Sequence, residues 1–72
     1  MNIKDFQPKM KVIYVPPHAH NDRTHKDCEE GMVSSVNDRF VFVKFQEAIK
    51  RWGWDEVTSQ ACKPENLLPR RT

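Results

Sequence analysis

The side chains of this chain that could bind a metal or react are concentrated in residues 16–28, with the sequence PPHAHNDRTHKDC. Zinc prefers imidazole nitrogen and thiolate sulfur ligands arranged as a tetrahedron. Two histidines separated by one residue point to the same side of an extended segment, and a His-x-x-Cys pair can close around one ion in a turn. A structural zinc ion would also stabilise so small a domain. The candidate zinc ligands are His18, His20, His25, Cys28 and Cys62.

Two other interpretations of these residues stay open. The histidines can face solvent or form hydrogen bonds within a loop, with the cysteines as small buried apolar groups, and their spacing matches no standard zinc finger. Cys28 could also be a nucleophile activated by His25 or by a neighbouring imidazole. Catalysis then needs a third orienting group and a substrate cleft, for which 72 residues offer little room. We therefore expect the protein not to be an enzyme.

Length and composition predict a single small folded domain. The chain has 72 residues, of which 38% are hydrophobic and 31% are charged with mixed sign, which is not typical of a disordered tail. No apolar run has the length of a signal peptide or of a membrane span. We expect one cytoplasmic domain over residues 1–72, with frayed ends at 1–5 and 69–72 and with cysteines that form no disulfide.

Short β-branched and aromatic runs between turn residues predict an all-β fold. The expected strands cover residues 11–15, 31–36, 39–45, 57–62 and 67–68. Asn37-Asp38 is a turn signal that joins the second and third strands into a hairpin. Alternation along the third strand places Val41, Val43 and Phe45 on the core face.

Two further elements follow from local patterns. Phe45, Ile49 and Trp52 recur at helical spacing, which suits a short helix at about residues 46–54. Gly53 is expected to end that helix, and residues 64–67 suit a 3-10 turn. Pro8 is expected at the second position of a turn before the first strand.

This pattern resembles the small barrels of the Src-homology-3-like class, of the Tudor and KOW type. The matching segments are FQPKMKVIYVP, GMVSSVNDRFVFVKF and CKPENLLP. The class often has glycine where this chain has Lys9. The resemblance implies a small five-stranded, partly open barrel with a long first loop, a short helix at about 46–54 and a 3-10 turn near 64–67.

A second resemblance covers residues 15–45. This stretch is similar to short uncharacterised phage and prophage proteins, through His18-Ala19, Asp22, the His25-x-x-Cys28 spacing and the Val-Ser-Ser run, and the likeness extends to residues 59–62. It implies an accessory protein of a bacterial virus that acts in the cytoplasm of the host cell. It implies no known activity.

The aromatic residues exceed what a small core obviously needs. Tudor-like barrels use such residues to hold cations or peptides, and Trp and Tyr are favoured anchors of protein interfaces. We expect a binding or adaptor module whose partner is a host or phage protein. Its expected partner-binding residues are Tyr14, Phe40, Phe42, Trp52 and Trp54. In the alternative interpretation, residues 46–54 fold over Phe40 and Phe42 and form a second small core.

Nucleic acid is the alternative partner, bound by a barrel that zinc could stabilise. The net charge is +2 and the pI about 8.7, and KOW-type barrels can bind RNA. Acidic residues interleave with the basic ones, which is more typical of a mixed solvated surface. The first strand, residues 11–15, could also be an exposed edge that pairs with a copy of itself or with a partner's strand. Both a monomer and a homodimer are consistent with the sequence.

Overall fold

The computed structural model describes residues 3–70, which form one curled antiparallel sheet of five strands in the order β4-β3-β2-β1-β5. The sheet is a half-barrel, which confirms the expected all-β, five-stranded, partly open architecture. The outermost residues of the ends expected to fray, 1, 2, 71 and 72, lie outside this description. The strands are β1 (Lys11–Tyr14), β2 (Glu29–Val36), β3 (Val41–Phe45), β4 (Gln60–Cys62) and β5 (Leu67–Pro69).

One short helix, α1 (Gln46–Trp52), follows β3 without a connecting loop. Gly53 ends it as expected, with φ of 84° and an N–H that donates to the carbonyl of Ile49 at 2.8 Å. Three 3-10 turns complete the regular structure, at Ile3–Asp5, Pro17–Ala19 and Pro64–Asn66. Within residues 3–70, no helix is both long and apolar enough to cross a membrane.

A bulge in β2 determines which of its side chains reach the core. The pairing of β2 with β3 shifts register between Val33 and Ser35, so that Ser34 is an extra residue. Simple alternation would place Val33 and Val36, three residues apart, on opposite faces. The bulge turns both valines towards the core, where Val33 is fully buried and Val36 packs against the buried cluster.

Strand β1 is an interior strand. It pairs with β2 on one side and with β5 on the other, and Val12 lies opposite both Gly31 and Pro69. Strand β1 is therefore not the exposed edge that the sequence left open. The physical reason is the 3-10 turn Pro64–Asn66, which sends the chain back along β1 so that both rows of its backbone groups are paired.

The core is small and draws on every strand. Val41 and Val43 are fully buried and Phe45 packs against them, as the alternation of β3 predicts. Ile3 and Met10, from the segment before β1, pack against the same cluster. Its buried members are Phe6, Val12, Val33, Val41, Val43, Cys62 and Leu67. A core of this size gives a small domain modest stability.

Candidate functional site

A cleft lies at the open end of the half-barrel. Glu29 begins β2, Phe45 ends β3 and Gln60 begins β4, and all three continue the inward-facing alternation of their strands where the core stops. Together with α1 they line a cavity of about 330 Å³. A second cavity of about 330 Å³ shares Glu29 and Phe45 with the first and extends to Cys28. These two adjoining cavities together form the candidate binding groove.

Trp52 stands at the edge of this groove. Its exposed fraction is 63%, and within residues 3–70 no other large hydrophobic residue is classed as exposed. It is the last residue of α1, a helix that buries none of its residues fully. Phe45 and Ile49, which share its expected helical face, are half-buried. Trp52 therefore offers apolar surface that the fold itself does not cover.

Tyr14 contacts the groove through Phe45, which lines it. Its ring meets that of Phe45 edge to face, with centroids 6.3 Å apart and an interplanar angle of 79°. This is a favourable arrangement of aromatic quadrupoles. Tyr14 is half-buried and packs against the core, whereas Phe45 lines both cavities. Of the expected partner-binding residues, Tyr14 and Trp52 thus belong to this end of the barrel.

Trp54 lies on the outer face of the sheet instead. The ammonium groups of Lys9 and Lys44 lie 4.1 and 4.5 Å from its ring centroids. The Lys44 ammonium also donates to the Trp54 carbonyl at 2.6 Å. Phe42 alternates with the inward valines of β3 and so shares the face of Lys44, and both Phe40 and Phe42 are half-buried. The five expected aromatic residues are therefore divided between two surfaces.

The chain after α1 runs across that outer face. Trp54 rests on Lys44, and the hydroxyl groups of Ser59 and Ser34 lie 2.7 Å apart within hydrogen-bond distance. Ser34 also donates to the Phe42 carbonyl at 3.2 Å. These polar contacts hold residues 53–59, the segment that follows α1, against the sheet.

The histidine-rich loop, residues 16–28, folds back on itself as a series of turns. Val15 and Ala19 are buried and anchor its start. His20 and Asn21 then adopt left-handed backbone conformations, with φ of 51° and 64°. Asparagine tolerates this region well. The reversal brings the end of the loop alongside its beginning.

This reversal assembles a group of three potential metal ligands, His18, His25 and Asp27. One ligand atom from each lies within 4.8 Å of the others. The His18 Nε2 and Asp27 Oδ2 atoms are 2.7 Å apart, and His25 Nδ1 lies 3.9 Å from the same oxygen. The histidine rings meet edge to face with centroids 5.4 Å apart. Asp27 is absent from the ligand set that the sequence indicates, although it lies two residues from His25.

The other expected zinc ligands point elsewhere. Cys28 is half-exposed and its thiol donates to the Asp22 carbonyl at 3.2 Å. Cys62 is buried in the core, and its sulfur lies 3.7 Å from the Gln60 carbonyl oxygen. His20 is exposed, and its backbone forms the reversal. Among the described residues, none of these three joins the group of His18, His25 and Asp27.

The pKa values of two side chains, Cys62 and Asp22, are shifted from their ordinary values. Burial raises the pKa of the Cys62 thiol, and the nearby charge of Glu29 raises it further. A nucleophilic cysteine requires the opposite shift.

In the loop, the hydroxyl and the backbone N–H of Thr24 both donate to Asp22 Oδ1, at 2.6 and 2.9 Å. These hydrogen bonds stabilise the ionised carboxylate and lower the pKa of Asp22.

Fold and site together define a small antiparallel half-barrel with a groove at its open end and a folded histidine-rich loop beside its first strand. Comparison with protein-family models, with curated proteins and with solved structures finds no match for this chain. The resemblances to Src-homology-3-like barrels and to phage proteins accordingly stay predictions from the sequence.

Proposed function

We propose that this protein is a non-enzymatic binding module that holds a segment of a partner protein in the binding groove. The exposed Trp52 beside a cavity of about 330 Å³ carries this proposal. The proposal includes a barrel of the Src-homology-3-like type and a phage or prophage accessory role in the bacterial cytoplasm. The partner is then a host or phage protein.

The chemistry of the groove favours a peptide segment with an apolar side chain at its centre. Trp52, Phe45, Ala48 and Val57 offer apolar surface for such an anchor. Covering the exposed part of a tryptophan contributes on the order of 2–4 kcal/mol to association. Tryptophan also loses little conformational entropy on binding, because it has few rotatable bonds.

The rim of the groove carries charges of both signs. Glu29 and Glu47 line both cavities, while Arg51 and Lys50 line one each. Such a rim fixes the direction and register of a bound peptide more than it adds affinity. The carboxylates also oppose the approach of phosphate groups, which favours a protein partner over nucleic acid at this surface.

Trp52→Ala tests the proposal against peptides selected from a random display library on the unmodified protein. We expect the selected peptides to bind the variant at least about tenfold more weakly, which corresponds to about 1.4 kcal/mol. Arg39→Ala, at the exposed hairpin turn, is the matched surface control and should leave affinity unchanged. A Trp54→Phe protein leaves Trp52 as the sole tryptophan, whose emission should shift to the blue when a peptide covers it.

Peptides that bind equally well to the Trp52→Ala protein would contradict this assignment of the groove. So would tight binding of single-stranded RNA that weakens steeply as salt concentration rises, because that dependence reports phosphate contacts. In that case the nucleic-acid alternative would replace the protein-binding proposal.

A further inference from the structure

We propose that His18, His25 and Asp27 form a binding site for one divalent transition-metal ion such as Zn²⁺. This inference is independent of the peptide-binding proposal, because none of the three residues lines the binding groove. It also differs from the ligand set indicated by the sequence, since it contains a carboxylate and no thiol.

The backbone brings the three ligands together without help from an ion. His18 lies in the 3-10 turn Pro17–Ala19, directly before the left-handed reversal. Turns closed by the N–H of His25 on the Asp22 carbonyl and by the N–H of Cys28 on the His25 carbonyl then position His25 and Asp27. The site is therefore largely formed in advance, which lowers the entropic cost of binding.

The two donor separations that involve Asp27 are close to those around a first-row divalent ion. Bonds of about 2.0–2.2 Å to nitrogen and oxygen place neighbouring donor atoms of an octahedral or tetrahedral site about 2.8–3.6 Å apart. The two separations from Asp27 Oδ2, 2.7 Å to His18 and 3.9 Å to His25, lie on either side of this range. Adjustments of a few tenths of an ångström would bring both into it.

The donor types decide the kind of ion. Two imidazoles with one carboxylate suit zinc, cobalt, nickel and copper, whereas magnesium and calcium prefer oxygen ligands alone. The His18 and Asp27 side chains are 63% and 49% exposed, so the remaining coordination positions face solvent. Water or a donor from another molecule can complete the coordination sphere.

Two competing interactions limit the affinity. His18 Nε2 and Asp27 Oδ2 are already within hydrogen-bond distance of each other at 2.7 Å, and an ion bound to both atoms would replace that contact. His25 Nδ1 accepts a hydrogen bond from the Asp27 backbone N–H at 3.0 Å, and an ion bound through Nδ1 would displace that donor. Because this bond is exposed, water can take over the N–H at little cost. The expected site is therefore one of modest affinity that bridges the two ends of a loop.

The test is a titration of the full chain with Co²⁺, followed by visible absorption, and with Zn²⁺ by calorimetry. We expect saturation at one ion per chain. Replacing even an outer-shell partner of a metal typically costs about tenfold to a hundredfold in affinity, so His18→Ala and Asp27→Asn should each weaken binding by at least about tenfold. His20→Ala removes an exposed histidine of the same loop and should leave the affinity unchanged.

Nitrogen-15 NMR of the imidazole rings adds a readout that is independent of affinity. Zn²⁺ should shift the ring nitrogens of His18 and His25 and leave those of His20 in place. The proposal fails if no saturable binding occurs, or if His20→Ala weakens binding as much as His18→Ala. It also fails if Cys28→Ser abolishes binding while Asp27→Asn does not, because a His-Cys site would then hold the ion. Far-ultraviolet circular dichroism verifies that each variant stays folded.

Discussion

At the scale of single residues, the backbone of Lys9 is unusual. Its φ is 75°, at the third position of the turn that the Met10 N–H closes on the Gln7 carbonyl. This position of a type II turn requires a positive φ, which favours glycine there. A side chain there costs about 1–2 kcal/mol. Lys9 recovers part of this cost through the contact of its ammonium group with Trp54.

Comparing the stabilities of the Lys9→Gly and Lys9→Ala variants isolates the energetic cost of the positive φ at residue 9. Both variants lose the ammonium group over Trp54, but only glycine removes the strain. Glycine also has more conformational freedom in the unfolded chain, and this lowers the stability of the glycine variant by about 0.4–1 kcal/mol. We therefore expect the glycine variant to be more stable than the alanine variant by about 0.5–1 kcal/mol in urea denaturation. Equal stability, or a more stable alanine variant, would show that the turn is not strained.

At the scale of elements, the β2–β3 hairpin is packed so closely that Gly31 has no room for a side chain. A Cβ atom there would lie 2.6 Å from Val43 Cγ1 and 3.0 Å from the Lys44 carbonyl oxygen. The second neighbour is backbone and cannot rotate away. The close approach sits next to Phe45, where β3 ends and α1 begins. The packing of this hairpin therefore helps to set the position of the binding groove.

Gly31→Ala should destabilise the protein by about 1–3 kcal/mol, the usual cost of overpacking a core. Guanidinium or thermal unfolding measures this change directly. Ser35→Ala, at an exposed position of the same strand, is the control and should change stability by less than about 0.5 kcal/mol. An unchanged midpoint for Gly31→Ala would mean that the two strands are farther apart than the structure places them.

At the scale of the whole molecule, a few buried side chains must stabilise the entire fold. One of them is Cys62, which is 7% exposed and belongs to the same cluster as the fully buried valines. Burial keeps its thiol neutral by raising its pKa above the ordinary value of 9.0. Because the pKa of this thiol differs between the folded and the unfolded chain, the free energy of unfolding depends on pH.

The sign of this effect follows from the direction of the shift. Below pH 9.0 the Cys62 thiol is protonated in both the folded and the unfolded chain. Its contribution to the free energy of unfolding is therefore fully present in this range. Above that pH the unfolded chain loses the proton first, and the free energy of unfolding falls as pH rises towards the folded-state pKa. We expect a Cys28→Ser protein to lose more stability between neutral and alkaline pH than a Cys28→Ser/Cys62→Val protein. Equal losses would show that Cys62 is not protected by burial.

The sequence alone determined most of the elements of this fold. Alternation in β3, the Asn37-Asp38 turn and the glycine at the end of α1 are local signals, because each depends only on neighbouring residues. Asn37 Oδ1 accepts the backbone N–H groups of Arg39 and Phe40 at 2.8 and 2.7 Å, which is the local reason for the turn. Such signals work before any distant part of the chain is in place.

The tertiary structure decided how those elements combine. The bulge at Ser34 and the interior position of β1 depend on pairing with distant strands, which no local pattern encodes. In the histidine-rich loop, too, the sequence determined the composition and the tertiary structure determined which side chains meet. Its composition predicted a metal site, but the left-handed reversal at His20 and Asn21 placed Asp27, and not a cysteine, beside His18. Side chains distant in the chain become neighbours only when the backbone between them has a defined path.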